Sequence, residues 1–110
     1  MRNIEKEIET LRYHQQLLLR IIRNPKAHFD LMIVEKNITK EEVQEIFDLC
    51  ELLNNRFTME KAEGYMNFQP LFSQLERKLT PKCTVEELIT SFLTQGLYET
   101  LMQEMSKYLY

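Results

Sequence analysis

Few side chains in this sequence are of a type that does chemistry. The 110 residues hold two histidines (His14, His28), two cysteines (Cys50, Cys83) and 17 carboxylates. A zinc or di-iron centre needs ligands spaced to share one face, as in HExxH, Glu-x-x-His on two helices, or paired Cys/His. None of these spacings occurs, so neither a metal nor any other cofactor is expected. His14 reads as a polar residue on the flank of a helix, and His28 as a surface or loop histidine. Cys50 falls on the apolar face of a strong helix, where a thiol is buried and inert. Cys83 stands immediately before Thr84, an expected N-cap, where the helix dipole can lower a thiol pKa. It is the one candidate reactive thiol. It has no partner base or oxyanion donor, and a structural role is the plainer expectation. Glu41-Glu42 and Glu86-Glu87 are accounted for by helix capping. Gly64 and Gly96 each stand alone, so there is no glycine-rich phosphate loop. No catalytic residue is nominated, and the chain is expected not to be an enzyme.

The elements that carry these residues are helical. Fifteen Glu against two Asp, two glycines, three prolines and three valines make a composition of straight-chain helix formers. Residues 3–23 form one helix. Asn24-Pro25 is expected to cap and open a short second helix over 26–36, with Phe29, Met32 and Ile33 on one face and Asn37 ending it in the left-handed conformation. Thr39-Lys40-Glu41-Glu42 is a capping box opening a long helix that runs to Gly64. Pro70 starts a fourth helix carrying Leu71, Phe72, Leu75 and Leu79. Thr84-Val85-Glu86-Glu87 is a second capping box, its helix broken at Gln95-Gly96. A last helix carries Leu97, Leu101, Met102, Met105 and Leu109, and its Tyr98, Met102, Met105, Tyr108 and Tyr110 form a stripe that is a contact surface or, as the plainer expectation, core. The fold class is therefore all-α, about six helices in a single domain over 1–110, with a helical body from residue 24 onward.

The first helix has a pattern of its own. Ile4, Ile8, Leu11, Gln15, Leu18 and Ile22 follow a 4-3-4-3-4 spacing, which is a heptad seam with Ile8, Gln15 and Ile22 at a and Ile4, Leu11 and Leu18 at d. A polar residue at a single a position sets register and oligomer state at some cost in stability. Leu17, Leu19 and Ile21 add apolar surface beside the seam, so the second half of the helix is expected to be buried on more than one side. The seam predicts self-association into a dimer or trimer, with internal core packing as the alternative.

Charge and hydropathy exclude other partners. The net charge is −3 and the pI near 5.4, against a nucleic-acid or anionic-membrane binder. Residues 1–26 hold six Lys/Arg against three Glu, a local basic excess on an acidic remainder. Residues 84–108 read helix, break, helix, but the stretch from Tyr98 to Glu104 offers Glu99, Gln103 and Glu104 where a recognition helix needs basic or amide side chains. The longest apolar runs, Leu17–Leu19 and Leu31–Val34, are far too short to span a bilayer. Two thiols without CxxC spacing and no leader pattern predict a cytoplasmic protein.

Several stretches, in order and at similar spacing, carry a resemblance: Leu17-Leu18, Thr39-Lys40-Glu41-Glu42, Lys61-Ala62-Glu63-Gly64 before an aromatic-containing turn, and Gln95-Gly96-Leu97-Tyr98 with Leu101-Met102 behind it. Over about Ile8 to Met105 the chain resembles the YhaI-like family of small uncharacterised Bacillus proteins. The resemblance implies a multihelical fold that self-associates, and implies no activity and no ligand at His14 or His28. The function expected from all of this is a non-catalytic homo-oligomeric interaction or scaffold module. The alternative is a small-ligand-binding or regulatory protein with an apolar pocket between helices.

Overall fold

The computed structural model describes residues 3–109. It contains six helices: α1 (Ile4–Arg23), α2 (His28–Glu35), α3 (Lys40–Ala62), α4 (Gln69–Lys78), α5 (Val85–Gln95) and α6 (Glu99–Ser106). No strand occurs among the described residues. α1, α3 and α5 begin where local capping chemistry places them. Asn3 Oδ1 accepts from the Lys6 N–H at 3.1 Å and starts α1. At Thr39 and Thr84 both halves of the capping box form, each threonine and the Glu three residues on satisfying one another's N–H groups. Asn37, at φ 53°, ends the α2 turn as its type allows.

α2 departs from expectation. Asn24 closes α1 by donating its N–H to the Arg20 carbonyl at 2.9 Å. Its side-chain oxygen then accepts from the Lys26 N–H at 3.0 Å. That local turn absorbs Asn24 and Pro25, so α2 begins only at His28 and has no side-chain cap of its own. Phe29, Met32 and Ile33 are buried as expected.

Helix contacts run in a sequence: α1 lies on α2, α2 on α5, α5 on α6, and α3 on both α4 and α6. The core between them is aromatic and aliphatic. Phe29 meets Phe92 edge-on at 4.5 Å between ring centres and Phe47 at 5.6 Å. Phe57 and Phe68 pair likewise at 4.8 Å beneath α4. Leu101, Met102 and Met105 are fully buried, and Tyr98 and Tyr108 pack half-buried against them, while Tyr110 lies outside the described residues. Gly96, at φ 81°, allows the reversal that lays α6 back on α5, with the Leu97 N–H on the Phe92 carbonyl at 2.8 Å.

α1 is the outlying element. A radius of gyration of 15.3 Å compares with roughly 13 Å for a compact domain of this size. The excess comes from a helix that touches the body over only half its length. No residue from Asn3 to Arg12 is buried, and the docked stripe is Tyr13, His14, Leu17 and Ile21. Leu17 is fully buried and anchors the helix, with Arg20 reaching Asp30 at 3.5 Å beside it. The expectation that the second half of α1 is buried on more than one side is corrected here: Leu19 is 58% exposed, because only one stripe of the helix meets α2.

Candidate functional site

Two stripes of α1 compete for the body, and the less apolar one docks. Thr10, His14, Leu17 and Ile21 follow a 4-3-4 spacing, as the seam does, and His14 is only 7% exposed. Its Nε2 lies 2.8 Å from the Ile38 carbonyl oxygen. A carbonyl only accepts, so Nε2 carries the proton and donates. His14 is thus a buried tether between α1 and the turn before α3. The reading of His14 as a flank residue is corrected by this contact. His28 is exposed at the first turn of α2.

The seam itself faces outward. Ile4 is 67% exposed, Leu11 63% and Ile22 80%, and Ile8, Gln15 and Leu18 are exposed with them. At about 100° per residue these side chains project on a face turned well away from the docked stripe, and the two faces share no residue. An apolar strip the length of a 20-residue helix is therefore open in one copy of the chain. A surface groove of about 510 Å³ runs beside it, lined by Asn3, Lys6, Glu7, Thr10, Leu11 and Asn37, where the helix stands clear of the body.

The thiols are held in apolar surroundings. Burial pushes Cys50 up to about 12. At Cys83 burial, and secondarily Glu87, push the pKa up to about 11, with Lys36 acting weakly the other way. Position before Thr84 suggests a lowered thiol. Desolvation outweighs the dipole there, because Cys83 is buried and Glu87 sets a like charge against its thiolate. Among the described residues no three His, Cys, Asp or Glu side chains converge to hold a metal ion. A second groove, of about 360 Å³ between α2 and α5, is walled by His28, Glu35, Lys36, Glu86 and Glu87 around Met32. The phenylalanines of the core pack on one another and line neither groove.

A family model described as "Protein of unknown function (DUF1878)" matches residues 1–110. The chain belongs to the DUF1878 family. The match spans the α1 seam together with the body. No helix of this DUF1878 chain, among the described residues, is long and apolar enough to cross a membrane.

Two contacts of the DUF1878 body carry no signal in local sequence. Gln95 Oε1 accepts from the Phe29 N–H at 2.9 Å and the Asp30 N–H at 3.3 Å, and so caps α2 from 65 and 66 residues away. The Tyr108 hydroxyl accepts from the Phe68 N–H at 2.9 Å and covers the start of α4 in the same manner. For His14 a signal existed in its own 3-4 spacing to Leu17 and Ile21, hidden by the more apolar seam.

Proposed function

We propose that this chain is a non-catalytic, cytoplasmic, self-associating interaction module whose contact surface is the outward face of α1. The observation that carries the reading is the exposure of the heptad seam, with Ile4, Leu11 and Ile22 each at least 63% open. Exposed large aliphatic residues are ordinary when scattered, but a continuous strip at coiled-coil spacing marks an interaction site. Helix physics adds to this. A helix half that leans on nothing is marginal in water, and burying its apolar face against another surface stabilises it. The resemblance to the YhaI-like proteins supports the same reading, and neither nucleic acid nor membrane suits an acidic chain with this surface.

Light scattering on the size-exclusion peak, followed through a dilution series, tests it. A mass at a stable two- or threefold multiple of 13.3 kDa is expected. Leu11→Asp with Leu18→Asp should return the particle to one chain while the circular dichroism spectrum stays helical. A monomer at every concentration, or an unchanged multiple in the double variant, would remove the reading.

A further inference from the structure

Resting on that reading of α1, we infer that the occupant of the seam is a second copy of α1 lying parallel and in register, two strands in all. Three features of the open face point the same way. The a positions hold Ile8 and Ile22 and the d positions hold Leu11 and Leu18 behind the terminal Ile4, and β-branched a with leucine d through the middle of the seam is the combination that favours two parallel strands. The polar residue sits at the central a position: in a parallel pair Gln15 meets Gln15 of the second copy, so the amides hydrogen-bond across the seam. Charge agrees as well. Arg12 occupies an exposed e flank, and a parallel pair keeps the e residues of the two strands on opposite sides of the seam.

The opposite orientation loses each of these. An antiparallel pair with Ile4 against Ile22 places Gln15 against Leu11, leaving an amide facing an apolar side chain. It also brings Arg12 beside Arg12 of the second copy, a like-charge contact. The docked stripe of Tyr13, His14, Leu17 and Ile21 contains no a or d residue, its nearest members being His14 and Ile21 at g on one flank of the seam.

Single-cysteine cross-linking decides the orientation. Ile4 and Ile22 are 67% and 80% exposed, so Ile4→Cys and Ile22→Cys leave the fold intact, while Cys50 and Cys83 are buried and stay out of the reaction. Under oxidised glutathione each variant alone should form a covalent dimer, and light scattering on the unmodified chain should give twice 13.3 kDa. Cross-linking only in a mixture of the two variants would show antiparallel strands, and a threefold mass would show three. Either result overturns the two-stranded parallel pair and leaves self-association standing. A one-chain mass with no cross-link in any sample would remove both.

Discussion

His14 Nε2 lies 2.8 Å from the Ile38 carbonyl, and this bond ties α1 to the turn that precedes α3. Both residues are buried, Ile38 completely. His14→Leu keeps the apolar packing but strands the carbonyl in a dry site. Leaving a buried acceptor unpaired costs about 1–3 kcal/mol. Chemical denaturation should show a loss of that size, with amide exchange in α1 accelerating more than in α3. An unchanged midpoint would mean that water reaches the Ile38 carbonyl.

Gln95 should behave as a helix cap supplied from a distance. It covers the Phe29 and Asp30 N–H groups, while its Nε2 sits 3.4 Å from the Asp30 carboxylate. Gln95→Ala should cost on the order of 1 kcal/mol, the usual value of a lost N-cap. Gln95→Glu is the sharper experiment. It keeps an oxygen for both N–H groups but sets a second carboxylate against Asp30, which is buried. That variant should be destabilised at neutral pH and recover in mild acid. A pH-independent loss would show that the two carboxyl groups do not meet.

Much of this architecture was legible in the residues because its determinants are local. Thr39 and Thr84 announce their helices through side chains three positions apart, and Gly96 and Asn37 mark their turns by the conformations their types permit. The departures share one physical cause. The start of α2 depends on Gln95, and the start of α4 on Tyr108, partners brought near only by tertiary packing. On α1 periodicity found both stripes but not which of them docks. Hydrophobicity ranks the Ile4–Ile22 seam above the stripe containing His14, yet a histidine that reaches Ile38 is well accommodated in the core. At Cys83 the rule of the helix N-terminus was sound, but the burial of the thiol was not visible in the order of residues.

Thiol labelling should follow burial rather than helix position. With Cys83 pushed up to about 11 and Cys50 to about 12, little thiolate is present at neutral pH. A disulfide reagent should label both far more slowly in the folded protein than in urea, and Cys83 should react before Cys50. Labelling of Cys83 at the rate of an unhindered thiol would revive a reactive role for it.

Acid should weaken the body through two capping carboxylates. Burial works to raise the Glu42 pKa, but hydrogen bonds from Lys82 at 2.6 Å and from Thr39 outweigh it and hold the group below its ordinary 4.5. Glu87 is lowered chiefly by its bond to Lys36, then by the Thr84 N–H. A group whose folded pKa is depressed contributes stability above its unfolded value and loses it as the pH falls through the folded one. The melting temperature should therefore decline from about pH 5 downward. Glu42→Gln and Glu87→Gln should each flatten that decline, and parallel curves for variant and parent would show that neither pair persists in solution.

Gln15 should trade stability of association for uniqueness. Placed in the middle of an otherwise apolar seam, its amide is satisfied only when the second strand presents another Gln15, and every other register or direction leaves it unpaired. Gln15→Ile removes that penalty. The side chain is exposed in one copy, so the fold of the body should not change. Association should tighten, visible as a multiple of 13.3 kDa persisting to greater dilution. Direction should also become less strict. In the Gln15→Ile background, a mixture of Ile4→Cys and Ile22→Cys chains should yield 4–22 cross-links beside the 4–4 and 22–22 ones. Tighter association with an unaltered cross-link pattern would assign direction to the flanking charges instead. Weaker association would mean that Gln15 makes a contact worth more than the apolar layer replacing it, and would remove its role as the selector.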